Sequence, residues 1–197
     1  MWFDSGGTPC NQAQCSVFLY SQDSLNQTTR RAYDSWRLPP NMSGQLVEQW
    51  TESTLGELFE IVTGTTPSKS KTEFYGDYMP FIKPPELLGG LVEESADGLS
   101  ELGSNQARVL PPESVLVSCI GKLGKLGMNS SPVAFNQQIN AIKPNYEIAN
   151  PKFVFYYCMS NQFRDQLHGL ASGTTVFMVN KTKFKGIKIS LPSLNEQ

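Results

Sequence analysis

The stretch that decides the fold is Ser114-Val115-Leu116-Val117-Ser118-Cys119-Ile120, followed directly by Gly121-Lys122-Leu123-Gly124-Lys125-Leu126-Gly127. β-Branched residues fill the first half, which suits a strand buried in a sheet. The three glycines of the second half permit positive φ in a hairpin or a long projecting loop. Ile139 to Lys143 supplies another strand. Further on, Asn150 is a good N-cap and Pro151 a good first residue for a helix on which Phe153, Tyr156, Phe163, Leu167 and Leu170 share a face. Gly173 lies just beyond its end. Ile187, Ile189 and Leu191 then alternate with Lys188 and Ser190, a half-buried strand that Pro192 terminates.

Upstream, Ser53 or Thr54 caps a short helix in which Leu55, Leu58, Phe59 and Val62 recur at helical spacing, and Gly64 and Pro67 end it. Tyr78 to Lys83 reads as a strand that Pro84-Pro85 forbids from continuing. Leu87 to Ala107 is rich in glycine and acids and reads mainly as loop. Residues 1 to about 45 are polar and poor in aliphatics, a mobile or partly helical extension punctuated by Arg37-Leu38-Pro39-Pro40-Asn41. Strands outnumber helices over 46–197. The expected fold is therefore α+β, with a curved, mostly antiparallel sheet and one principal helix.

At 197 residues and 39% hydrophobic content the chain buries a real core. The net charge of −2 conceals two halves: residues 46–101 hold three lysines against eleven acids, a balance of −8, and residues 102–197 hold ten Lys/Arg against four acids, a balance of +6. A basic face holds phosphates even when the total is slightly negative, although solvating the surface is the commoner role of a lysine. None of the four cysteines, Cys10, Cys15, Cys119 and Cys158, has the two-residue spacing of a metal knuckle or redox pair, and His168 is the sole histidine, so no metal is expected. There is no apolar signal core at the N-terminus, and the apolar run Phe153 to Met159 is too short to span a bilayer. A cytoplasmic, reduced protein with no membrane partner is the simplest expectation.

Catalytic and cofactor patterns are missing from the sequence. Gly121 to Gly127 lacks the hydroxyl that follows Gly-Lys in a P-loop, Gly64 to Lys71 lacks the second glycine, and no Rossmann fingerprint occurs. Leu38-Pro39-Pro40-Asn41 and Lys83-Pro84-Pro85-Glu86 have the prolines of an adenine methyltransferase string without its flanks. His168, near a helix end, suits a surface or capping role better than that of a general base. The acids between Glu93 and Glu101 read as a solvated loop. No catalytic residue and no cofactor are expected.

Four short strings in fixed order carry a resemblance: Gly64-Thr65-Thr66-Pro67-Ser68, Phe81-Ile82-Lys83-Pro84, Ser172-Gly173-Thr174-Thr175, and Ile189-Ser190-Leu191-Pro192-Ser193-Leu194-Asn195-Glu196-Gln197. Each alone is ordinary turn chemistry. Together, over roughly residues 46 to 197, they resemble the specificity subunit of type I restriction-modification enzymes, and more narrowly one target recognition domain of that subunit. The family more often has Pro-Pro-Leu before the Glu-Gln pair, where this chain has Pro192-Ser193-Leu194-Asn195.

The resemblance implies a non-catalytic domain that reads one half of a split site in double-stranded DNA. Its implied partners are a methyltransferase (modification) subunit and an ATP-dependent restriction subunit. In that family two long antiparallel helices join two such domains; no heptad-bearing helix follows Gln197, so the chain is expected to be a fragment, a split half-subunit or an excised domain. Strings shared by members that read different sequences suit scaffold and phosphate roles, which assigns Thr174, Thr175 and Lys181 to phosphate and Gln137 and Gln138 to either role. Base readers are then expected in Gly121 to Ser131, where Lys122, Lys125, Asn129 and Ser130 offer suitable donors, with Lys83 a further candidate beside its rigid prolines. Two rivals stay open. One is a protein- or ligand-binding module whose Phe74, Tyr75, Tyr78 and Phe81 line a groove; the other is a degenerate methyltransferase fused to a recognition domain.

Overall fold

A computed structural model describes residues 2–3, 9–10 and 50–197, and the chain divides between Val47 and Glu48. In the first unit, β1 (Trp2–Phe3) pairs antiparallel with β2 (Pro9–Cys10). The rest of the expected N-terminal extension lies outside the described residues. The second unit begins with β3 (Thr51–Thr54), α1 (Leu55–Leu58), β4 (Ile61–Thr63) and β5 (Tyr75–Ile82). It continues through β6 (Leu91–Val92), β7 (Gly98–Leu99), α2 (Glu101–Ser104), β8 (Val109–Leu110) and β9 (Val115–Ser118). Then come β10 (Leu126–Asn129), β11 (Val133–Phe135), β12 (Ile139–Ile142), α3 (Pro151–Met159), α4 (Asn161–Gly169), α5 (Lys181–Lys185) and β13 (Lys188–Leu191).

The fold is the expected α+β class. A five-stranded sheet of order β4-β12-β9-β10-β6 forms the middle layer, a four-stranded sheet of order β7-β5-β11-β8 lies on one side, and β13 pairs with β3. Pairings are antiparallel except β10 with β6 and β11 with β5. Val115 and Val117 of β9 face a core shared with Phe155, Phe163, Phe184 and Ile189, whereas Leu116 faces one shared with Val133, Phe135 and Ile139. Both faces of β9 are thus covered, which is why Val115 to Val117 is continuously apolar in place of alternation. Each large side chain so buried contributes about 1.5–3 kcal/mol.

The principal helix is two helices. Ser160 closes α3, donating its N–H to Tyr157 O at 3.0 Å, and opens α4, its Oγ accepting from Phe163 N at 3.2 Å. Asn150 caps α3 as expected, its Oδ1 accepting from Lys152 N. The break turns the faces, so Phe163 and Leu167 are buried while Tyr156 is 65% exposed and does not share their face. Tyr157 Oη donates to Lys188 O, Gln166 Nε2 donates to the same oxygen at 3.0 Å, and Lys188 N donates to Gln166 Oε1 at 2.8 Å, which tie the helices to β13.

One other expectation is corrected. The helix expected from Ser53 to Val62 is a single turn, α1, followed by β4, because Ile61, Val62 and Thr63 gain a ladder with β12. Leu87 to Ala107 is mainly loop, as expected, with three short elements: β6 joins the five-stranded sheet, β7 the four-stranded one, and Ser100 caps α2, its Oγ accepting from Gly103 N at 3.1 Å.

Cys119 and Cys158 are free thiols buried against the same core. Burial pushes the Cys119 thiol up to about 12, and Cys158 is raised still further by burial and by Cys119 beside it. Because a neutral thiol is the weak nucleophile, native protein should leave both unmodified by iodoacetamide at pH 8 while denaturant exposes both, a difference read by peptide mass spectrometry. Labelling of either at the rate of a free thiol would show that this core opens. The same shifts have a sign for stability: the neutral thiols stabilise fully below the unfolded-state pKa near 9.0, and that contribution is lost as pH rises above it.

Candidate nucleic-acid interface

Strand direction gathers distant strings at one end of the central sheet. β9 and β4 run toward that end and β12 runs away from it, since Ile139 pairs with Ser118 and Asn140 with Thr63. The turn after β9, Gly64-Thr65-Thr66 after β4, and Asn136-Gln137-Gln138 before β12 therefore emerge together. In the second sheet β11 is parallel to β5 with Phe135 beside Ile82, which puts Lys83 next to Asn136. Backbone bonds join the pieces: Gly64 N to Ile139 O, Thr65 N to Phe135 O, Asn136 N to Ile82 O and Cys119 N to Gln138 O, at 2.8–3.2 Å.

The glycine-rich connection is a tight hairpin turn, not a long loop. Ser118 organises it, its Oγ donating to Lys122 O at 2.6 Å and accepting from Lys125 N at 2.9 Å. Gly121 and Gly124 take φ of 79° and 76°, a region that favours glycine, as expected, whereas Gly127 lies within β10 without positive φ, where Val92 packs against it. Leu123 packs on the core while Lys122 projects into solvent and Lys125 is half-exposed. Neither lysine, nor exposed Lys181 at the start of α5, pairs with a carboxylate among the described residues.

Between the strings lies a cleft of about 500 Å³ lined by Thr66, Lys69, Tyr75, Phe81, Lys83, Asp97 and Asn136 to Gln138. Thr66 Oγ1 donates to Gln137 Oε1, and Asn136 Nδ2 donates to Gln138 Oε1 at 2.9 Å. Lys83 is a paired cation, bridged to Asp97 and 5.8 Å over the Phe81 ring. Arg108, which sequence reasoning passed over, donates from its side chain to Thr63 O and from its N–H to Thr65 Oγ1, the latter at 2.9 Å. Thr66, Lys69, Asn136 and Asp97 were missed too. No local pattern marks them, because the cleft forms only when the ends of the two packed sheets come together.

Two candidates do not belong to this end. Asn129 is fully buried: its Oδ1 accepts from Ser114 N at 3.0 Å, and its Nδ2 donates to Pro111 O and Ser131 O at 2.8 and 2.7 Å. Its amide is satisfied within the protein and is not available to a base edge. Ser130 is exposed, but follows β10 at the end of the sheet opposite Lys122 and Lys125. Thr174 and Thr175 are exposed on the loop before α5. The aromatic groove forms only in part: Tyr75 and Phe81 line the cleft, Tyr75 Oη donating to Pro67 O at 2.9 Å, while Phe74 is buried and Tyr78 is largely exposed. Among the described residues no three His, Cys, Asp or Glu side chains gather as metal ligands, and no helix is long and apolar enough to cross a membrane.

The profile of the type I restriction modification DNA specificity domain matches residues 47–197. The chain belongs to this family. The HindI specificity subunit of Haemophilus influenzae is 38% identical to this specificity domain over 148 residues, which is 73% of the chain and 32% of that relative. The EcoR124I/EcoR124II specificity subunit of Escherichia coli is 28% identical over 152 residues, 73% of the chain and 37% of the relative. The specificity domain thus spans about a third of the length of the curated relatives it matches. Among solved structures, the HsdS subunit from Thermoanaerobacter tengcongensis shares the fold with a TM-score of 0.57 at 20% identity, over 80% of this chain and 37% of that one.

Proposed function

We propose that residues 47–197 form a target recognition domain that reads one half of a bipartite site in double-stranded DNA. The observation that carries this is the convergence of the four-string set's Gly64 to Thr66 and Lys83 with Lys122, Lys125, Gln137 and Gln138 on one end of the central sheet. Lys122, Lys125 and Lys181 hold phosphates there, with Thr174 and Thr175 adding hydroxyl donors, and Gln137 and Gln138 face base edges from the cleft. Arg108 braces Thr63 and Thr65 and adds positive charge, while the charge of Lys83 is offset by Asp97. The chain itself is non-catalytic: a methyltransferase modification subunit and an ATP-dependent restriction subunit supply the chemistry at the site this domain selects.

The test is duplex binding by the full chain at a series of salt concentrations. Affinity should fall linearly on a log-log plot, and replacing Lys122 and Lys125 together by Ala should flatten the slope by roughly one unit for each phosphate left without its lysine. A salt-independent affinity would sink the recognition reading; an unchanged slope would leave the two lysines as solvated surface. Calorimetric binding of S-adenosylmethionine to the chain alone would instead favour a degenerate methyltransferase.

A further inference from the structure

The loop between α4 and α5 carries an apolar tip that the fold leaves uncovered. Val176, Phe177 and Met178 are consecutive, and 54%, 54% and 42% exposed. The tip is held firmly. Ser172 N donates to Met178 O at 3.0 Å and Met178 N to Ser172 O at 2.8 Å, closing the loop at its base. Gly121 N donates to Phe177 O at 2.9 Å, and Met178 forms a bridge with Ile120, so the tip is fastened to the turn that carries Lys122 and Lys125. On its other side Asn180 caps α5, whose first residue is Lys181.

An apolar tip flanked by lysines is poorly suited to a protein partner, because the buried centre of protein interfaces is depleted in lysine. It matches a nucleic-acid duplex, which presents phosphates along the groove edges and stacked apolar base faces between them. We propose that Phe177, supported by Val176 and Met178, is a wedge that enters a base step of the bound duplex and partly unstacks it. Apolar wedges of this kind contact every sequence alike but distort flexible steps at least cost, so the tip would favour pyrimidine–purine steps at its position. The inference rests on the recognition reading, which the salt dependence tests separately.

The probe is a duplex recovered from a randomised pool by binding to the full chain, with 2-aminopurine placed at each position in turn. Wild-type protein should brighten the probe at one or two adjacent positions, since 2-aminopurine is quenched by stacking. Phe177→Ala should abolish the rise and weaken binding about tenfold, as removal of one aromatic ring stacked on a base does, while leaving the salt slope unchanged because every phosphate keeps its lysine. Phe177→Trp should keep both signals. Half of the Phe177 side chain is already in solvent, so the Ala variant should fold, which circular dichroism checks. Absence of brightening at every position, or wild-type affinity in Phe177→Ala, overturns the wedge and leaves the recognition reading standing; so does loss of a protein partner with DNA binding intact. Salt-independent binding, or a pool that never enriches, overturns the recognition reading and the wedge with it.

Discussion

Gly64→Val should lower the unfolding free energy by about 3 kcal/mol, the upper range for overpacking, and duplex binding should fall with the folded fraction. A Cβ at this position would stand 2.1 Å from Asn136 O and 2.4 Å from Phe135 O. Both obstacles are backbone atoms, held by the Thr65 N to Phe135 O and Asn136 N to Ile82 O bonds, so neither can swing aside as a flexible side chain would. Relief requires β4 to part from β11 and β12, which breaks the seam where the candidate interface is assembled. For a domain of this size the loss corresponds to a melting temperature lower by roughly 10 °C. Gly64→Ala should move in the same direction. A valine variant that melts with the wild type would mean the strings are not packed backbone to backbone.

Asn129→Ala should be nearly as damaging and should leave sequence preference untouched. The substitution strands the buried Ser114 N–H at about 1–3 kcal/mol and takes a donor from the part-buried carbonyls of Ser131 and Pro111, the latter keeping only Ser114 Oγ. The same amide holds the turn in which Glu113 takes a φ of 61°, a strained region for a residue with a side chain. Asn129→Asp should be at least as harmful, since a carboxylate would face two carbonyl oxygens and lose both donors. Chemical denaturation gives the stability, and selection from a randomised duplex pool gives the preference. An Asn129→Ala protein of wild-type stability but altered preference would return this residue to the interface.

Asn129 also illustrates why site residues are harder to read than elements. In sequence it is a polar residue after a glycine-rich turn, the usual place for a base reader. Burial is decided by β10 pairing with β9 and by the fold of Pro111 to Ser114 over its side chain, from about fifteen residues away. Ser130 fails for a similar reason: one strand length of four residues carries it from one end of the sheet to the other. Lys122 and Lys125 were legible as cations of a glycine turn because the alternation of glycine, lysine and leucine there is local. Lys83 was legible as a cation beside a rigid proline pair, but not as the partner of Asp97, fourteen residues on.

Elements with strong local signals were read correctly: β9, β12, the Asn150–Pro151 helix start and β13. The single turn α1 was overextended because Leu55, Leu58, Phe59 and Val62 satisfy helical spacing over a window too short to exclude a strand. Ser160 broke an otherwise helical pattern through a cap that competes with continuation, its hydroxyl bonding to Phe163 N.

By itself, the sequence determined the α+β class, the main strands, the family and the basic character of the C-terminal half, because periodicity, turn chemistry and short ordered strings act over a few neighbouring residues. Tertiary structure alone decided that Gly64 to Thr66, Lys83, Lys122, Lys125 and Asn136 to Gln138 share one end of a sheet, that Asn129 lies inside, and that Phe177 stands in solvent. Those are outcomes of strand pairing between distant segments, Ile61 with Ile142 being eighty-one residues apart, and chain spacing does not encode them.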